Sequence, residues 1–338
     1  MYEDHFGLRE RPFQLTPDPK YWFDSATHRK AMAYLGYGLA QGEGFIVITG
    51  DIGAGKTTLV GHLTSRIDPA NMKVISLVSS AIQADDLLRI VAMGLGVTDV
   101  PRSKAELLAV IERGLNAVAR TGRRTLLIVD EAQALDVSAV EELRMLSNFQ
   151  AGGKALLQIF LLGQPEFRQR LHGSESLEQL RQRIIAIHHL DPMGEEEIAE
   201  YVAHRLHIAG WQGTPDFSDD AFPLIHRLTA GVPRRVNQLM SRVMLHAGMT
   251  RAPVIDAALI DAVHADALND LPTASPSDQG TVQAGGGLAV ADRIAALEAR
   301  IEEQDVVLRR VLTLLIDWVE TEPAPPASRL EAVRGAAA

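Results

Sequence analysis

The chain has no cysteine among its 338 residues. Disulfides, thiolate nucleophiles and cysteine-held zinc are therefore excluded, and a reducing compartment fits. An excess of basic charge is also missing. Lys and Arg number 33 against 43 Asp and Glu, for a formal net charge of −10 and a pI of about 5.6. That balance argues against a dedicated nucleic-acid binder, which presents a basic footprint, although a local basic patch could sit within an acidic total. No stretch approaches the ~18–20 uninterrupted apolar residues of a membrane span; the nearest, Val306 to Val319, is broken by Arg309, Arg310 and Asp317. The first residues, Met1 to Phe6, carry Glu3 and Asp4 and lack the apolar core of a secretory leader. These absences lead to the expectation of a cytoplasmic protein without a transmembrane segment.

What is present suits a soluble globular chain, with 46% hydrophobic and 22% charged residues, long enough for two packed units and a tail. Residues 1–27 are rich in proline and aromatics and read as an irregular segment pinned by its rings rather than a helix. Residues 28–192 alternate strand and helix patterns. Apolar runs at 45–49, 73–79, 125–130, 156–163 and 184–190 are separated by helical periodicity at 56–67, 84–94, 103–121 and 137–149. This is the signature of an α/β domain whose parallel sheet is covered on both faces. Residues 193–268 read as a small all-helical domain, opening on the acidic Glu195-Glu196-Glu197 as a helix dipole prefers. Residues 269–289 have the Pro, Gly and Ser content of a flexible linker. Within 290–320, Ile294, Leu297, Ile301, Gln304, Leu308, Val311, Leu315 and Trp318 form a heptad seam. It reads as a coiled coil for self-association or partner binding, or as an amphipathic helix docked on the chain's own body. Residues 321–338 read as a disordered tail.

The chemistry concentrates in one stretch. Gly50, Asp51, Ile52, Gly53, Ala54, Gly55, Lys56, Thr57 and Thr58 fit the G-x-x-x-x-G-K-[ST] pattern, directly after an apolar strand and at the start of a helix. Glycines allow successive backbone amides to turn inward around phosphate oxygens, and the helix start adds its positive end. Lys56 would reach the β and γ phosphates, and the Thr57 hydroxyl would ligate Mg2+. A second signal is Asp130-Glu131, which ends the apolar run from Leu126 to Val129 at the carboxyl edge expected to hold ligands. Asp130 would hold the magnesium shell and Glu131 would act as general base on the attacking water. The competing reading of the two acids is a helix N-terminus.

Three further signals stay open on the residues alone. Gln164 ends another apolar run, where an amide could orient water or touch the γ-phosphate, or simply be satisfied in a turn. Arg181 and Arg183 precede the last strand, where one could reach a neighbouring subunit's phosphate. Arg234 and Arg235 open a lid helix from which one could close onto the γ-phosphate. For any single arginine, a solvated surface charge is the competing reading.

In this order, Gly50–Thr57, Asp130-Glu131, Gln164, Arg181/Arg183 and Gly231-Val232-Pro233-Arg234 resemble the AAA+ ATPases: Walker motifs, first sensor, arginine finger and second sensor. The stretches FGLRERPFQLTPDPKYWF, LLIVDEAQ, ELRMLSNF, LLGQPEF and LRQRI are similar to the secretion-pathway protein A (ExeA) type over residues 1 to about 268. The runs AMAYLGYGLAQGEGFIVITGDIGAGKTTLVGHL and VEELRMLSNFQ resemble the ATPase of exosortase/PEP-CTERM exopolysaccharide systems. The resemblance implies a P-loop AAA+ three-layer domain with a five-stranded parallel sheet, a helical lid, and ATP with Mg2+ bound between them. It assigns Gln164 as first sensor, Arg183 or Arg181 as finger and Arg234 as second sensor. Taken with the heptad segment, it leads to the expectation of a homo-oligomer built through the ATP sites and the coiled coil, serving envelope polysaccharide-export or secretion components. A transposition-helper-like DNA ATPase and a nucleotide-switched scaffold with little turnover are the alternatives. The secretion type continues into a transmembrane helix and a peptidoglycan-binding module. Here a heptad segment is expected in that place, which argues against direct cell-wall remodelling.

Overall fold

The computed structural model describes residues 2–79, 82–100, 103–174 and 177–269. The chain divides after Pro272 into two units, and the first is described here. The expected linker, coiled-coil helix and tail lie, from residue 270 onward, outside the described residues.

The helices are α1 (Tyr2–His5), α2 (Ala26–Gln41), α3 (Lys56–Arg66), α4 (Ala84–Gly94), α5 (Lys104–Arg120), α6 (Val137–Leu146), α7 (Pro165–Gly173), α8 (Glu178–Arg181), α9 (Glu195–Ile208), α10 (Ala221–Thr229), α11 (Pro233–Thr250) and α12 (Ala257–Asn269). The strands are β1 (Phe45–Gly50), β2 (Met72–Val78), β3 (Arg124–Asp130), β4 (Gln150–Ala151), β5 (Lys154–Ala155), β6 (Leu157–Gly163), β7 (Ile184–Leu190), β8 (Asp216–Phe217) and β9 (Val254–Ile255). Five of them form one parallel sheet in the order β2-β3-β6-β1-β7.

Side-chain alternation explains why both faces are dry. Phe45 and Val47 of β1, Leu127 and Val129 of β3, and Ile159 and Leu161 of β6 enter one core, with Leu87, Val91, Leu107 and Ile111 of α4 and α5. Ile46, Ile48, Leu126, Ile128, Phe160 and Leu162 enter the other, with Leu35 of α2 and Leu59 of α3. Each such burial contributes about 1.5–3 kcal/mol, so a one-residue slip in register would exchange two filled cores for two mismatched ones. Gln158 is the polar exception on β6, and its amide donates to the Gly38 carbonyl at 2.6 Å.

The expected helix over 137–149 is shorter than anticipated. It stops at Leu146, and the Ser147 hydroxyl turns back to the Arg144 carbonyl at 2.7 Å. The chain then makes the β4–β5 hairpin, because Gly152 and Gly153 both adopt positive φ (58° and 76°), as a two-residue hairpin turn demands.

Helices α9 to α12, the stretch expected as a lid, pack around a third core, which a parallel β8–β9 bridge accompanies. The N-terminal segment was expected to be irregular. It is so except for the single turn of α1 and a 3-10 turn at Pro19–Tyr21. Phe6, Leu8 and Phe13 are buried in the lid core beside Val202, Leu206 and Met240, so the segment is part of that core rather than an appendage.

Candidate nucleotide site

The loop after β1 has the conformation its glycines permit. Gly53 and Gly55 take φ of +88° and +93°, and Gly55 caps α3 without any side-chain hydrogen bond. The first amides of α3 are thus left to a ligand, at the positive end of the helix. Lys56 is buried, and its ammonium donates to the carbonyls of Gly50 at 2.7 Å and Asp51 at 3.0 Å. Burial pushes its proton affinity down, while Glu131 and Asp130 pull it back up. A phosphate chain entering the loop would replace the two carbonyls with charged acceptors.

Strand β3 delivers the acids. Thr57 Oγ1 donates to Asp130 Oδ2 at 2.9 Å, and the Glu131 amide donates to Asp130 Oδ1 at 2.9 Å. Glu131 itself is left-handed (φ 57°, ψ 38°), which costs a non-glycine residue about 1–2 kcal/mol. The Ser79 hydroxyl holds its carbonyl at 2.9 Å. Gln164, at the end of β6, donates from Nε2 to Glu131 Oε2 at 3.2 Å. Gln133 donates to that same oxygen.

The donor set fits magnesium. Thr57 Oγ1 and Asp130 Oδ2 are hard oxygen ligands, adjacent and few, and Mg2+ completes its octahedron with water and phosphate oxygens. Among the described residues there is no cluster of three His, Cys, Asp or Glu that would bind a metal without such help. Thr57 would bind the ion directly and Asp130 would orient its water shell. When bound, magnesium would neutralise charge on the phosphate oxygens.

Lid and loop meet at Arg234. Its backbone amide donates to the Gly53 carbonyl at 3.2 Å, and a Cβ on Gly53 would lie 2.4 Å from Arg234 Cβ. The cavity beside them is lined by Ile52, Gly53, Gly55, Lys56, Thr57, Thr58, Glu131 and Arg234. Of the sequence-derived residues, the loop from Ile52 to Thr58, Glu131 and Arg234 thus share one space, with Asp130 joined to it through Thr57 and Gln164 through Glu131.

Arg181 and Arg183 lie elsewhere. Gly50 pairs with Leu190 at one end of β7, whereas Arg183 precedes Ile184, the partner of Phe45, at the other. That is about 17 Å along the strand at ~3.3 Å per residue. Arg181 is engaged locally: Nη1 donates to the carbonyls of Leu171 at 2.7 Å and His172 at 2.9 Å, and Nη2 pairs with Glu178. Arg183 is exposed, and its Nη1 donates to Ser147 Oγ at 3.0 Å.

Sequence reading missed the far wall of the cavity. Leu15, Pro17, Tyr21, Trp22 and Met193 supply it together with Pro233 of the Gly231–Arg234 motif, and no motif spacing announces the other five, which come from the N-terminal segment and the start of the helical region. Arg205 of α9 holds that segment: Nε donates to the Pro12 carbonyl at 2.6 Å, Nη1 donates to the Tyr201 hydroxyl at 3.0 Å, and the guanidinium lies 4.5 Å from the Tyr21 ring centroid. His28 was also missed. It is buried, with Nδ1 2.6 Å from Ser25 Oγ, its ring edge-on to Trp22 at 5.1 Å, and Nε2 2.8 Å from where a Cβ on Gly55 would sit. Burial pushes its pKa down to about 4, so the ring is neutral near pH 7.

Comparison with known proteins agrees with this geometry. Residues 39–171 match the AAA domain family. General secretion pathway protein A of Aeromonas hydrophila is 36% identical over 293 residues, covering 86% of this chain and 52% of that protein. The Mu-like prophage FluMu DNA transposition protein B of Haemophilus influenzae is 31% identical over 129 residues, 38% of this chain and 41% of that one. The chain therefore spans about half the length, or less, of the curated relatives it matches. Among solved structures, the Aeropyrum pernix ORC2 protein superposes with a TM-score of 0.56 at 16% identity, covering 76% of this chain and 71% of that one, a likeness of fold. The phosphate loop, the acidic pair and the sheet order fit that likeness: the chain carries a match to the AAA domain over residues 39–171 and is similar to general secretion pathway protein A over most of its own length.

Proposed function

We propose that this protein is a cytoplasmic, magnesium-dependent ATPase that drives assembly or regulation of an exopolysaccharide- or exosortase-linked envelope export system, acting as a homo-oligomer. The observation that carries the enzymatic part is the contact of Thr57 with Asp130 beside a Glu131 held by two glutamines. Glu131 accepts the proton of a water whose oxygen bonds to the γ phosphorus. The bond to the bridging oxygen breaks, and ADP departs with that electron pair. Gln164 senses the γ-phosphate, Arg234 closes the lid on it, and Arg183 serves a neighbouring subunit. The exposed position of Arg183, at the end of β7 remote from its own phosphate loop, supports that last role. The pathway rests on the likeness to a secretion-pathway protein over most of this chain and on the motif resemblance to the exosortase-associated ATPases. Pull-down of trapped, ATP-bound protein from its native host tests it. Recovery of polysaccharide-export components is expected, and recovery of none of them would overturn the pathway.

A second reading is an ATPase of DNA transactions, favoured by the likeness to a DNA transposition protein B over 129 residues. The net charge of −10 opposes it. Duplex binding that weakens steeply with salt would establish it.

A further inference from the structure

The ATPase reading counts Gln133 as a holder of Glu131 but leaves the other end of its side chain unused. It stands on the 3-10 turn Ala132–Ala134, two residues past Glu131. Its two ends serve different partners. Nε2 donates to Glu131 Oε2, and Oε1 accepts the backbone amide of Gln164 at 3.0 Å. The Gln164 side chain donates to the same Glu131 oxygen at 3.2 Å. Both donors thus converge on Oε2, and among the described residues no protein donor reaches Oε1. The turn is itself anchored. Arg170 Nη1 donates to the carbonyls of Gln133 at 3.3 Å and Leu135 at 2.8 Å, and its guanidinium lies 5.3 Å from the centroid of the buried Phe167 ring.

We propose that Gln133 is a positioning residue for hydrolysis: it keeps the Glu131 carboxylate and the Gln164 backbone in place while the Gln164 side chain leaves Glu131 for the γ-phosphate. The inference rests on the reading of Glu131 as general base and Gln164 as γ-phosphate sensor. The two N–H groups of the Gln164 amide diverge within one plane, so a side chain that turns toward the phosphate gives up its aim at Glu131 Oε2. If Gln164 were the sole holder, the carboxylate would be released at the moment it must face the water. Gln133 removes that conflict. Its donor fixes Oε2, which directs Oε1 toward the attacking water, and its acceptor fixes the backbone about which the Gln164 side chain turns. The anchor at Arg170 makes the support independent of nucleotide, because none of its bonds involves the phosphate loop.

Two substitutions separate this role from a structural one. Gln133→Met keeps the length and loses both bonds. Gln133→Glu keeps an acceptor for the Gln164 amide but sets a second carboxylate against Glu131. The readouts are steady-state kcat and KM for ATP, equilibrium binding of a fluorescent ATP analogue, and the melting temperature. Both variants are expected to lose about tenfold or more in kcat, with KM and nucleotide affinity within about threefold of wild type. Gln133→Glu is expected to do so while still unfolding in one cooperative transition. Folded Gln133→Glu at wild-type kcat, or a loss confined to KM, overturns the inference while leaving the ATPase reading intact. A wild-type protein that binds the analogue but turns over no ATP removes both together.

Discussion

The Thr57 hydroxyl donates to Asp130 Oδ2 at 2.9 Å, joining the first turn of α3 to the last residue of β3. Under the proposed function these two oxygens would face the metal, so the two residues should share one phenotype. Asp130→Asn should raise the Mg2+ concentration for half-maximal ATPase activity about 10–100-fold, the usual effect of losing an outer-sphere ligand. A magnesium titration of wild type and variant checks it. An unchanged midpoint would remove Asp130 from the metal shell.

His28 makes a pH prediction. Its folded pKa of about 4 lies below the unfolded 6.5, so the unfolded chain binds the extra proton first. The associated stability is fully present above about pH 6.5 and is lost as pH falls through about 4, to a total of about 3 kcal/mol. Burial also lowers His62, His188 and His204, which act with the same sign. Melting at pH 7 and pH 5 should show a smaller difference for His28→Gln than for wild type. Equal differences would mean that the ring charges without penalty.

The two arginines before β7 should part company. Arg181 bonds the carbonyls that end α7, so Arg181→Ala should lower stability by about 1–3 kcal/mol. Arg183→Ala should alter stability by no more than about 1 kcal/mol, since its side chain is exposed and gives up the bond to Ser147. It should instead abolish the part of the ATPase rate that grows with protein concentration. Urea melts and a concentration series separate the two. If Arg181→Ala alone lost the concentration-dependent rate, the finger assignment would move to Arg181.

Arg205 should link lid stability to nucleotide affinity. Arg205→Met leaves the Pro12 carbonyl and the Tyr201 hydroxyl without their donor, a cost of about 1–3 kcal/mol each. It also frees the segment that carries Tyr21 and Trp22 to the cavity. Denaturant unfolding and fluorescent-nucleotide binding should both weaken. Weakened stability with unaltered affinity would mean that this wall does not touch the base.

Much of this was readable in advance because it is local. The five sheet strands fall within one residue of their apolar runs; the central β1, β3 and β6 are buried on both faces and leave an uninterrupted signature, while the edge strands β2 and β7 show in partly buried apolar runs. The phosphate loop and the acids were legible because the chemistry constrains residues close together in sequence. Helix α6 was drawn three residues too long because Asn148 and Phe149 continue its periodicity, and only the Gly152-Gly153 turn forces the hairpin. The cavity's far wall was illegible for a different reason: Trp22, Met193 and Pro233 meet only through tertiary packing. Likewise, nothing in the spacing of Arg181 and Arg183 reveals that one guanidinium is already committed to carbonyls. Gln133 follows Glu131 by two positions, but its value lies in reaching Gln164, 31 residues further on.

The most direct measurement is single-turnover hydrolysis of pre-bound ATP by Glu131→Gln, alongside its equilibrium affinity for ATP. The substitution keeps size and hydrogen bonding while removing the proton acceptor. The expected result is ATP held as tightly as by wild type, within about threefold, and hydrolysis slowed about 100- to 10,000-fold. Hydrolysis at the wild-type rate would contradict the assignment of Glu131 as general base.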